Sequence, residues 1–115
     1  MDDIRYVMGQ NIRLFRRSKG VTQEKLAEMV NVSGSYIGYL ERGKKSPSID
    51  LLIKIAGVLK VDPAILLTSN EKKTNQELKK LIILLSDKGP EPIRFLNEVA
   101  KAYFKSLGPE RPITK

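Results

Sequence analysis

Three times in its first 67 residues the chain repeats one short pattern. An apolar residue precedes a small polar one, and a second apolar residue follows four positions beyond the polar one. Val21-Thr22…Leu26, Val32-Ser33…Ile37 and Val61-Asp62…Leu66 each pair a helix N-cap with a hydrophobic staple. In the third, Pro63 occupies the favoured first helical position. Ser48 caps a further helix, in which Leu52, Ile55, Ala56 and Leu59 form the buried stripe. Ahead of these, Ile4, Met8, Ile12 and Phe15 mark one face of a first helix, which stops at Gly20, a residue suited to the left-handed position after a helix. Five short helices with no strand pairing predict an all-α domain over residues 1–68.

The remainder has a different texture. TSNEKKTN, residues 68–75, reads as a polar connector, and residues 76–86 as a helix whose LIILL run is too apolar all round to be solvated. SDKGPEP, residues 86–92, is a turn, and Ile93, Leu96, Ala100, Tyr103 and Leu107 mark a last helix at spacings of three and four. Residues 69–108 are thus expected to form a two-helix hairpin and 109–115 a flexible tail. A hairpin of about forty residues cannot build a sufficient core alone. It either folds back on the first domain or pairs with a second copy, and the LIILL run favours pairing. The expected homodimer interface joins Leu78, Leu81, Ile82 and Leu85 to Ile93, Leu96, Ala100, Tyr103 and Leu107, completed by the same faces of a partner.

Composition narrows the function. The chain has no Cys and no His, so the usual nucleophiles, general bases and zinc ligands are missing. It also has no phosphate-cradling glycine loop and no metal-ligand cluster, so we expect no enzyme, no metal and no cofactor. The longest apolar run is far short of a membrane span, and no apolar segment of signal-peptide length follows the acidic N-terminus. A cytoplasmic protein is expected. Its net charge of +8 points to a polyanionic partner, with the excess split evenly between residues 1–67 and 68–115.

Against that basic background one run stands out. VNVSGSYIGYLERG, residues 30–43, carries two tyrosines, three glycines and only two charges. Two helices too short to stand alone, residues 23–30 and about 34–42, meet here across a tight turn at Asn31. Leu26, Val30, Ile37 and Leu40 face one another, and Ala27 permits close approach. A helix pair locked at a steep angle by such a turn describes a helix-turn-helix.

Residues 12–67 closely resemble the Cro- and cI-repressor-like helix-turn-helix family of transcription regulators. The match runs through Ile12…Phe15-Arg16, Gly20-Val21-Thr22-Gln23 and Leu26-Ala27, then Val32-Ser33…Ile37…Leu40-Glu41-Arg42-Gly43, Pro47-Ser48, Leu52…Ile55-Ala56…Leu59 and Val61. The resemblance implies a five-helix phage-repressor-like domain and a DNA-binding transcriptional regulator, most readily a dimeric repressor reading a palindrome in the major groove. It implies that Gln23 grips a phosphate of double-stranded DNA, where helix N-terminal amides also favour an anion. Ser33, Gly34, Ser35, Tyr36 and Tyr39 match the exposed edge of the recognition helix. Arg42, Lys44 and Lys45 match the following loop, placed to neutralise flanking phosphates. Arg16 and Glu41 match a pair that ties the first helix to the end of the third.

The sequence departs from the family at Gly34, where a long side chain often makes the main base contact. Readout is then expected to rest on Ser35, Tyr36 and Tyr39 and on DNA shape. For Tyr36, packing beside Ile37 and contact with DNA stay equally open. Two alternative readings use the C-terminal helices to hold a partner protein: an antitoxin-type regulator, and an adaptor whose helix-turn-helix is only scaffold. A protein antagonist is compatible with each.

Overall fold

A computed structural model describes residues 3–109, and the described residues form seven helices and no strand. They are α1 (Ile4–Ser18), α2 (Gln23–Val30), α3 (Gly34–Glu41), α4 (Ile49–Leu59), α5 (Pro63–Leu66), α6 (Lys73–Leu85) and α7 (Pro90–Ser106). Of the expected tail, 110–115 lies outside the described residues.

The repeated pattern does two jobs at each joint. The side chains of Thr22, Ser33, Ser48 and Asp62 accept hydrogen bonds from the amides of Lys25, Tyr36, Leu51 and Ala64, at 2.9–3.1 Å. Each such cap stabilises its helix by about 1 kcal/mol. The valine before the cap also closes the previous helix. Val21 N–H donates to Arg16 C=O, Val32 to Ala27 and Val61 to Ala56, each reaching back across a residue at positive φ: Gly20, Asn31 and Lys60. These are Schellman closures, and their valines then pack on the core as staples for the next helix. One residue therefore ends one helix and angles the next.

Helices of eight residues such as α2 and α3 do not persist alone and depend on packing. Ile12, Phe15, Leu26, Ile37, Leu40, Ile55, Leu59 and Leu66 are fully buried in one cluster. Ile4, expected on the buried face of α1, is 50% exposed. It lies at the first position of the helix, with Val7 and Met8 taking the inward positions.

Residues up to Leu84 form one compact unit, and those from Leu85 a second. The expected boundary after residue 68 therefore falls inside the first unit, which holds most of α6. The connector is also shorter than expected: α6 begins at Lys73, and the loop before it is bound by amide side chains, Asn75 donating to Ser69 C=O and Gln76 to Asn70 C=O. The reason for α6's attachment is Lys79, only 3% exposed. Its ammonium donates to Asn11 Oδ1 at 2.8 Å, to Asn70 Oδ1 at 2.6 Å and to the Thr68 carbonyl. Buried Asn11 in turn donates through its side-chain amide nitrogen to the carbonyls of Ile65, Leu66 and Thr68 around the end of α5. Ile82 and Ile83 add apolar contact with the core. Ile82 is thus partly used by its own domain, whereas Leu78 and Leu81 on another face of α6 remain exposed.

Burial pulls the Lys79 ammonium below its ordinary lysine value. Between the lowered folded value and the ordinary unfolded one, the unfolded chain holds the extra proton, so Lys79 makes folding more favourable as pH rises. The melting temperature of wild type should therefore gain on that of Lys79→Met as pH rises toward the ordinary lysine value. Parallel pH profiles of the two proteins would contradict this.

In the second unit, α7 is amphipathic. One side carries the pairs Glu91–Arg94 and Glu98–Lys101, and the other carries Ile93, Leu96, Val99, Tyr103, Phe104 and Leu107. No residue of α7 is buried. Among the described residues, no helix is long and apolar enough to cross a membrane.

Candidate nucleic-acid interface

The geometry begins with the turn between α2 and α3. Asn31 adopts φ 63°, which turns the chain at once, and Val32 and Ser33 then start α3. Ile37 and Leu40 point into the core and Glu41 is buried beneath them. With that side fixed, Ser33, Ser35, Tyr39 and Arg42 are exposed on the opposite edge. Tyr36 is half-buried and packs against the core. Gly34, Ser35, Gly38, Tyr39 and Arg42 line a shallow concavity with Gln23 and Glu24 from α2. A second shallow concavity, lined by Tyr6, Gln10, Arg13, Arg17 and Arg42, continues it onto α1. Lys44 and Lys45 are exposed just beyond α3.

What holds the edge in place is a buried ionic node. Arg16 donates through Nε to Glu41 Oε2 at 2.5 Å and through Nη2 to Oε1 at 3.0 Å. Its Nη1 donates to the Val21 carbonyl at 2.8 Å. Hydrogen bonding to Glu41 raises the Arg16 guanidinium above its ordinary value, against the opposing effect of desolvation. The Gln23 amide also donates to Glu41 Oε1, at 3.0 Å. Gln23 thus has a partner inside the protein, with one N–H of its side-chain amide engaged by Glu41. The backbone amides at the start of α2 stay oriented toward the same edge by helix geometry.

Two features of this edge are not visible as motifs. Glu24 places a carboxylate in the concavity, which suits the N-terminal end of a helix but repels phosphate. Arg42 does not extend into the loop. Its guanidinium stacks over the Tyr39 ring, 5.2 Å from the centroid, and lies above Gly38. Among the described residues, no group of three or more acidic residues could hold a metal ion.

Of the residues expected at a dimer interface, Leu78, Leu81, Ile93, Ala100, Tyr103 and Leu107 are exposed, while Ile82, Leu85 and Leu96 are partly covered.

Residues 12–66 match the helix-turn-helix family. The chain is 34% identical over 70 residues to the uncharacterised HTH-type transcriptional regulator y4dJ of Sinorhizobium fredii, spanning 61% of this chain and 91% of that protein. Among solved structures it is similar to the clp gene regulator ClgR from Corynebacterium glutamicum, with a TM-score of 0.59 and 32% identity over 78% of this chain and 98% of that one. It is also similar to a chain of a SinR protein/SinI protein complex, with a TM-score of 0.55 and 29% identity over 86% and 97% of the two chains.

Proposed function

Since the chain belongs to the helix-turn-helix family of transcriptional regulators, we propose that it binds double-stranded DNA with the outer edge of α3 in the major groove and acts as a repressor. One observation carries this reading. Ile37, Leu40 and the Arg16–Glu41 node fix the inner side of α3, leaving Ser33, Ser35, Tyr39 and Arg42 outward. Gly34 keeps the leading end of the edge low, so the helix backbone can approach the bases closely there, while Gly38 is buried beneath the Arg42 side chain. Lys44 and Lys45, with Arg13 and Arg17 from α1, flank it where phosphates would run. Gln23 contributes the start of α2 to the phosphate on that side. Tyr36, half-buried, acts mainly as packing beneath the edge.

The protein works as a homodimer on a palindrome, with half-sites about one helical turn apart. Support comes from the open apolar surfaces of α6 and α7, both of which need cover. The same surfaces suit a protein antagonist that takes the place of the second copy.

Binding should weaken steeply with salt, because each neutralised phosphate releases counterions. If a dimer engages about six phosphates, affinity for a selected duplex falls roughly 10³-fold between 50 and 200 mM salt. Lys45→Ala should weaken all sequences alike and reduce the salt slope by about one per subunit. Fluorescence anisotropy over that salt range checks both, and salt-independent binding would contradict the reading.

A further inference from the structure

We infer that Arg42 reads a guanine base in each half-site, reaching back along α3 from its C-terminal end, and is not spent on a flanking phosphate. The inference rests on the DNA-binding reading above and assigns a base to a residue that the sequence places among the phosphate contacts.

Gly34, Gly38 and Arg42 follow one another at intervals of four, so they lie along one row of the helix surface. Side chains on a helix lean toward its N-terminus, so Arg42 lies back over the row of glycines. Its Nη1 stands 3.2 Å from where a β-carbon on Gly38 would be. The guanidinium also stacks over the Tyr39 ring, 5.2 Å from its centroid, a cation–π contact that favours this placement. The group therefore sits where the concavity beside Ser35 and Tyr39 meets the one lined by Arg13 and Arg17, and not out with Lys44 and Lys45.

The chemistry of the surroundings selects the ligand. Ser35 and Tyr39 offer single hydroxyls, and the Gln23 nitrogen is engaged by Glu41. Arg42 alone among the lining side chains offers two parallel donors, which match guanine O6 and N7 in the major groove. Glu24 lines the same concavity, and a carboxylate there disfavours a phosphate far more than the edge of a neutral base.

The test selects bound duplexes from a random pool with the full chain and with Arg42→Lys, Arg42→Ala and Gly38→Ala. Wild type should enrich a guanine at one fixed position per half-site. Arg42→Lys keeps the charge and loses the fork, so the preference for that guanine should fall about tenfold or more while other positions and the salt slope stay unchanged. Gly38→Ala crowds the guanidinium by a few tenths of an ångström, so it should lower the same preference, but by less than Arg42→Lys does. Alanine is a better helix former than glycine, and the crowded atom is the end of a flexible side chain, so circular dichroism should show an intact fold. The assignment is overturned if the Arg42 variants weaken every sequence equally with preferences unchanged, the behaviour of a phosphate contact. A wild-type chain that enriches no sequence overturns the DNA-binding reading and this assignment together.

Discussion

Gly9→Ala is expected to cost about 2–4 kcal/mol of stability, although the substitution improves helix propensity by roughly 1 kcal/mol. A β-carbon at position 9 would stand 2.3 Å from the Leu40 carbonyl oxygen and 2.8 Å from that of Glu41. Both neighbours are backbone atoms at the end of α3, so no rotamer change relieves the overlap. Only a shift of α1 away from α3 can do so, and that shift opens the core around Ile12 and Phe15. The melting temperature should fall on the order of 10–20 °C, as followed by circular dichroism. An unchanged melting temperature would mean that α1 does not press on α3 at Gly9. DNA binding should fall with the fold, because the same contact sets the position of the helix end that carries Arg42.

Glu41→Leu should be comparably damaging, at about 3–5 kcal/mol. It leaves the buried Arg16 guanidinium with only the Val21 carbonyl and releases the Gln23 amide. Arg16→Met should cost about as much, by leaving the buried Glu41 carboxylate with only Gln23. The double variant removes both charges and replaces them with apolar volume, so it should recover much of the loss. A coupling energy of about 2 kcal/mol or more is expected from the denaturation cycle, and a coupling near zero would contradict a buried pair. The node contributes more than stability. It sits directly behind the exposed edge of α3, so a double variant that folds but binds DNA poorly would identify the pair as the support of that edge.

These two sites show what the sequence makes legible and what it leaves hidden. Caps and staples are local, and a few adjacent residues determine them, so α2, α3, α4 and α5 begin where Thr22, Ser33, Ser48 and Asp62 predict. The positive φ of Gly20 and Asn31 is readable for the same reason, since each stands at the end of an apolar period. Gly9 is not readable. It falls inside the period of α1, where a glycine looks merely tolerated, and its purpose is set by α3, some thirty residues on in the chain. Lys79 is harder still. A lysine within an apolar helix is ordinarily read as solvated, and its burial depends on Asn11 and on the carbonyls at the end of α5. Such partners meet only in three dimensions.

At the interface, the outward edge of α3 follows from the inward places of Ile37 and Leu40. The direction of Arg42 does not follow from any pattern of types. It depends on the absence of side chains at Gly34 and Gly38 and on the ring of Tyr39. The neighbours of Gly38 are the side-chain ends of Arg42 and Gln23, which no local pattern announces. For α6, the apolar run suggests a helix that needs cover, yet none of its apolar residues is fully buried. It does not reveal that one side is covered by its own domain through Lys79, Ile82 and Ile83 while Leu78 and Leu81 stay open.

Amide chemical-shift mapping of the full chain, titrated with a duplex recovered from a random pool, tests the orientation of α3 most directly. The largest changes should fall at residues 22–25, 33–39 and 42–45, with the interior positions of α4 little affected. Large changes confined to α4, α5 or α7, with residues 33–39 silent, would contradict that orientation.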